Sequence, residues 1–244
     1  MKSIQIILLS LISLSSCAKK ADKPYVYINT DTTSTIVKAM NSDSVSYLAL
    51  GDSYTIGQSI PQADSFPYQL TALLTSASFK VSAPQIIAVT GWTTDDLIDA
   101  ISKSSIRSNQ FDFVTLLIGV NDQYQGLSQS NYRIKFAQVL QTAISFAKGD
   151  STRVFVLSIP DYGVTPFANK DDSVIGPEID QFNAINKQIS LAAGVNYLDI
   201  TAISREAAVD PTLIAPDGLH PSAKMYALWM NLLEPMVATR LNKK

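Results

Sequence analysis

With 244 residues, 46% of them hydrophobic and 16% charged, the chain has the make-up of one ordinary folded catalytic domain, which excludes disordered and fibrous classes. Its 19 Lys and Arg stand against 21 Asp and Glu for a formal net charge of -2, and no basic stripe runs along the sequence, so nucleic acid is set aside as a partner.

The chain opens MKSIQIILLSLISLSSCAKK, with Lys2 ahead of an apolar run from Ile4 to Leu14 that is too short to span a bilayer. This is the pattern of an export signal. Leu14-Ser15-Ser16-Cys17 resembles the bacterial lipobox, in which small residues before a cysteine admit the lipoprotein signal peptidase. Cys17 is the single cysteine, so no intramolecular disulfide forms and its thiol is free for a thioether-linked diacylglycerol. Residues 1–16 are thus expected to be removed, and the mature protein to begin at a lipidated Cys17 that tethers it to a membrane of the cell envelope. Ala18 rather than Asp after the cysteine, by resemblance to known lipoproteins, points to the outer membrane or cell surface. The alternative takes Cys17 as the small residue ending an ordinary signal peptide, and the protein as freely secreted.

Residues 17–45 are polar and rich in Thr and Ser, as a tether would be, and the domain proper is expected over 46–244. From there short apolar runs at 45–50, 85–89, 113–118, 154–158 and 195–199 alternate with helical patterns at 65–76, 95–105, 131–148, 178–193 and 222–241. Such alternation predicts βαβ units in a three-layer α/β/α sandwich around a parallel sheet of five strands buried on both faces. In the 178–193 helix, Pro177 is read near the start and Gly194 just past the end.

Ligands bind outside the carboxyl ends of such strands. The segments there are Gly51-Asp52-Ser53, Thr90-Gly91-Trp92, Gly119-Val120-Asn121-Asp122 and, after a longer excursion, Asp217-Gly218-Leu219-His220-Pro221. A serine hydroxyl needs a base, normally a histidine oriented by a carboxylate. His220 is the single histidine and follows Asp217 by three residues, so one loop supplies base and acid for Ser53. The backbone N–H groups of Ser53 and Gly91 and the side-chain amide of Asn121 are the candidate donors for a developing oxyanion.

These segments resemble, motif by motif and in order, the SGNH hydrolases, also called GDSL esterases and lipases: GDSY carries Ser53, TGWTTDD carries Gly91, GVND carries Asn121 and DGLHP carries Asp217 and His220. The resemblance covers residues 46–244 and implies a flavodoxin-like sheet of order 2-1-3-4-5, ester hydrolysis and no metal or cofactor. Thr90 departs from it, standing where relatives often carry asparagine. Thr55 stands where a G-x-S-x-G elbow would have its second glycine, which disfavours the larger α/β-hydrolase fold.

Other residues have structural readings. Asp52 and Asp122 are expected to shape their turns, Asp95-Asp96 to open a helix, and Asp171-Asp172 to sit solvated in a polar loop. Tyr54, Trp92 and Tyr124 follow the site motifs and are candidates to line a substrate groove. One histidine and one cysteine leave no zinc set. The leading expectation is a lipid-anchored serine esterase acting on carbohydrate O-acetyl groups, lysophospholipids or other acyl esters. A non-catalytic glycan- or lipid-binding lipoprotein, or a transacylase with the same triad, are the alternatives.

Overall fold

The computed structural model describes residues 44–169 and 172–242. The expected signal sequence, Cys17 and the expected tether up to residue 43 lie outside them, as does Asp171. Five strands, β1 (Tyr47–Gly51), β2 (Gln85–Ala88), β3 (Phe113–Leu117), β4 (Val154–Leu157) and β5 (Asn196–Leu198), form one sheet. All neighbours are parallel, in the order β2-β1-β3-β4-β5, as expected. Every residue of β1, β3 and β4 is buried, which is why these strands read as unbroken apolar runs. Across them Tyr47 stacks on Phe113 with ring centroids 4.3 Å apart.

Helices α2 (Phe66–Ser76) and α8 (Ala223–Leu241) pack together on one side of the sheet. Phe66, Leu70, Leu74, Tyr226, Trp229 and Leu233 are fully buried there. Helices α3 (Thr94–Lys103), α5 (Gln129–Phe146) and α6 (Asp172–Ala192) form the other layer. Side-chain caps set several helix starts: Thr93 and Asp96 form a capping box at α3, Ser128 accepts from Asn131 N, and Ser222 accepts from Met225 N.

Two expectations are corrected. Helix α6 begins at Asp172, so Pro177 lies inside it rather than near its start. A proline withholds one N–H and here does not end the helix, whose first turn simply precedes it. Asp172 is not a solvated loop residue either: it opens α6, and one carboxylate oxygen is buried without a hydrogen-bond partner among the described residues. Three one-turn helices were also not anticipated, α1 (Ser53–Ile56), α4 (Val120–Tyr124) and α7 (Thr201–Arg205), because one turn is too short to carry a periodic signal.

Gly119 makes the sharp exit from β3 into α4. Its φ is +124, and a Cβ there would come within 2.6 Å of Tyr132 Oη. Gly119→Ala therefore combines a backbone conformation closed to residues with a Cβ and a clash against a fully buried ring. A loss of about 2–4 kcal/mol is expected in urea unfolding at unchanged m-value.

Candidate active site

Ser53 is the first residue of α1, immediately beyond β1. At that position its backbone N–H has no intrahelical carbonyl to donate to. Asp52 caps the turn, accepting from Tyr54 N at 3.0 Å. Burial pushes its carboxyl up to about 8. Gly51 is required behind it because a side chain would collide with Thr55 and the carbonyl of Leu117. From α8, Tyr226 Oη donates to Tyr54 O at 2.8 Å, tying the Ser53 turn to the helix that follows the histidine loop.

The glycine loop and the asparagine turn are fastened to each other. Asn121 Nδ2 donates to Trp92 O at 2.9 Å. Asp122 accepts from Thr94 N at 2.9 Å and from Thr94 Oγ1 at 3.0 Å. Burial still raises its carboxyl to about 6 against those two bonds. Both Asp52 and Asp122 thus brace turns, as their sequence reading anticipates. Gly91 has φ +84 with open space beyond its Cα, so the backbone conformation rather than room calls for glycine. The departing Thr90 is engaged by Gln58: its hydroxyl donates to Gln58 Oε1 at 2.7 Å.

Asp217 and His220 share a tight loop before α8, closed by Ala215 N donating to His220 O at 2.7 Å. Asp217 Oδ2 lies 2.6 Å from His220 Nδ1, and Oδ1 accepts from the backbone N of Leu219 and of His220, both at 3.0 Å. Partial burial works against ionisation of Asp217. Hydrogen bonds from Ser59, His220 and the loop backbone outweigh it and bring the carboxyl down to about 2. The imidazole is largely buried and its ring lies 5.4 Å from that of Tyr54.

Ser53, Gly91, Asn121 and His220 line one pocket of about 150 Å³, with Asp217 behind the imidazole. Among the described residues no hydrogen bond joins Ser53 Oγ to His220; such contacts commonly tighten when substrate binds. Tyr54 and Tyr124 also line the pocket; Trp92 does not, packing instead against the core.

Sequence reasoning assigns nothing to the loop after β4, yet Tyr162 and Phe167 come from it into the pocket wall. Tyr124, Tyr162 and Phe167 form an aromatic cluster with centroids 6.0 to 6.4 Å apart. Phe167 N donates to Gly218 O at 3.0 Å, joining this loop to the histidine loop. The strand-end rule applied to β4 would have pointed to Tyr162. A larger groove of about 460 Å³ runs between α5 and α6, but its lining, which includes Arg133, Leu140 and Ile189, holds no nucleophile or base. Among the described residues no group of three or more His, Cys, Asp or Glu is placed to hold a metal ion.

Residues 49–228 match the sequence model of the GDSL-like lipase/acylhydrolase family. No curated protein matches the chain. Among solved structures, the chain resembles a lipase/acylhydrolase from Enterococcus faecalis at TM-score 0.63 and 19% identity, over 80% of this chain and 96% of that one. It also resembles a variant of Axe2, an acetyl xylan esterase from Geobacillus stearothermophilus, at TM-score 0.62 and 18% identity, over 79% and 94% of the two chains. The psychrotrophic esterase EstA from Pseudoalteromonas sp., in a structure inhibited by monoethylphosphonate, gives TM-score 0.62 at 15% identity, over 82% and 100%. At these identities the likeness is one of fold.

Proposed function

The chain belongs to the GDSL-like lipase/acylhydrolase family and is a carboxylic ester hydrolase, and on that premise we propose that it cleaves short acyl esters through an acyl-enzyme on Ser53. The observation that carries this reading is the pocket shared by Ser53, Gly91, Asn121 and His220, with Asp217 hydrogen-bonded to the imidazole at 2.6 Å.

Ser53 Oγ attacks the acyl carbonyl as His220 takes its proton, and Asp217 steadies the imidazolium. The tetrahedral oxyanion is received by the N–H groups of Ser53 and Gly91 and the amide of Asn121, which its bond to Trp92 O holds in place. The C–O bond to the alcohol breaks and His220 returns the proton to the leaving oxygen. Water, deprotonated by His220, then attacks the acyl carbon, and the bond to Ser53 Oγ breaks as His220 returns the proton to that oxygen, releasing the acid.

Size supports a short acyl group. The pocket holds about 150 Å³, whereas sites that engulf drug-sized ligands run from about 300 Å³ upward. Its wall carries Val120, Tyr162 and Leu219. Tyr124 and Phe167 are 59% and 50% exposed at the rim, available to pack against the alcohol part, and a sugar ring suits such aromatic faces. The acetyl xylan esterase activity of the Axe2 neighbour is in keeping with that choice. The Leu14-Ser15-Ser16-Cys17 pattern supports an enzyme held outside the cytoplasm through a lipidated Cys17.

A series of p-nitrophenyl esters from acetate to palmitate, run beside acetylated xylan and a lysophospholipid, tests the reading. kcat/KM is expected to peak at short acyl chains and to fall roughly tenfold or more for long ones, with Phe167→Ala raising KM for acetylated xylan and leaving the acyl-chain optimum in place. A peak at palmitate, or preference for the lysophospholipid over acetylated xylan, would overturn the short-acyl assignment.

A further inference from the structure

Asp217 is held by more than its own loop. Of its hydrogen bonds among the described residues, three come from Leu219 and His220, and the fourth comes from Ser59 Oγ, 158 residues away in sequence, which donates to Oδ2 at 2.6 Å. That is the same oxygen that faces His220 Nδ1, also at 2.6 Å. Ser59 lies six residues beyond Ser53, in the turn after α1 where Ile60 N donates to Gly57 O. Its hydrogen bond therefore fixes the carboxylate to the segment that carries the nucleophile.

The backbone at Ser59 points the same way. Its φ is +67, in the left-handed region that disfavours residues with a Cβ and suits glycine or asparagine. The residue is exposed, so packing does not explain a serine. What serine has at this position, and glycine lacks, is the hydroxyl that reaches Asp217.

We propose that Ser59 is a positioning residue of the esterase, orienting Asp217 and through it His220. The proposal rests on the assignment of Asp217 as the orienting acid. By donating to Oδ2, the hydroxyl fixes the plane of the carboxylate and takes up part of its charge while the imidazole N–H bonds the same oxygen. Consistent with that, the Ser59 bond is the largest of the hydrogen bonds that lower the Asp217 carboxyl against partial burial.

Three variants separate hydroxyl from backbone. Ser59→Ala removes the donor and keeps the strained conformation; Ser59→Gly removes the donor and relieves it; Ser59→Asn suits the left-handed backbone and offers an amide donor. With p-nitrophenyl acetate, the alanine and glycine variants are expected to lose kcat alike, about 5- to 20-fold, at unchanged KM. Their acid limb of kcat/KM moves to higher pH, since a carboxylate with one donor fewer favours the protonated imidazole. The asparagine variant recovers at least half of the lost rate. Wild-type kcat in Ser59→Gly, or a loss confined to KM, would overturn the proposal by reducing Ser59 to a loop or substrate contact. Asp217→Asn measured in parallel keeps the two readings apart: if it too retains wild-type rate, the assignment of Asp217 fails, and if it alone is inactive, only the role of Ser59 does.

Discussion

Ser53→Ala is expected to lower kcat/KM on p-nitrophenyl acetate by roughly 10⁴-fold or more and to abolish labelling by a fluorophosphonate probe. No other group in the pocket replaces the hydroxyl. Thr90 is committed to Gln58, and burial pushes the Tyr54 phenol well above its ordinary range, away from ionisation. What remains is acceleration by the oxyanion donors, which need no nucleophile from the protein. The fold should survive, because alanine is at home in a helix and Asp52 still caps the turn through Tyr54 N. Circular dichroism of the variant checks this. A Ser53→Ala protein that still reacts with the probe at wild-type rate would remove Ser53 as the nucleophile.

Asp217→Asn is expected to cost about 10³- to 10⁴-fold in kcat with little change in KM, since an amide opposite His220 Nδ1 favours the wrong tautomer without touching substrate. The pH dependence follows from the position of this carboxyl. It is held down to about 2 chiefly by Ser59 and His220 against partial burial, so it stays ionised across the working range. The acid limb of the wild-type rate therefore owes nothing to Asp217, which keeps its charge while groups held higher, Asp122 at about 6 among them, take up protons. Stability has the sign of a depressed carboxyl: the contribution is present above the ordinary value of 3.8 and is lost as pH falls from there through about 2. In Asp217→Asn that dependence should disappear from acid unfolding. Acid unfolding of Asp217→Asn that keeps the wild-type dependence on pH below 3.8 would count against an Asp217 held ionised by these bonds.

Much of the candidate site was legible in the sequence, because it sits where short buried strands end. Ser53, Gly91 and Asn121 each follow a run of apolar residues, and His220 could be picked out as the single histidine, three residues past an aspartate and ahead of the last helix. The extension of α6 to Asp172 was not legible: Pro177 carries a strong local signal for a helix start, and the turn preceding it is built from weak helix formers, Ser173, Val174, Ile175 and Gly176. Nor was the aromatic wall, since Tyr162 and Phe167 stand in a loop with no motif around them.

By itself the sequence determined the alternation of strands and helices, the burial of the three central strands on both faces, though not of the partly exposed edge strands β2 and β5, and the residues at each strand end. These are local properties, set by runs and periods a few residues long. The order of the strands came with the family resemblance rather than from any such period. Tertiary structure alone decided that Ser59 meets Asp217, that Asn121 is steadied by Trp92 O, and that Phe167 leans on Gly218 at the edge of the pocket. Each of those contacts joins two segments that only the finished sheet brings together, and no local pattern records which segments the strand order will make neighbours.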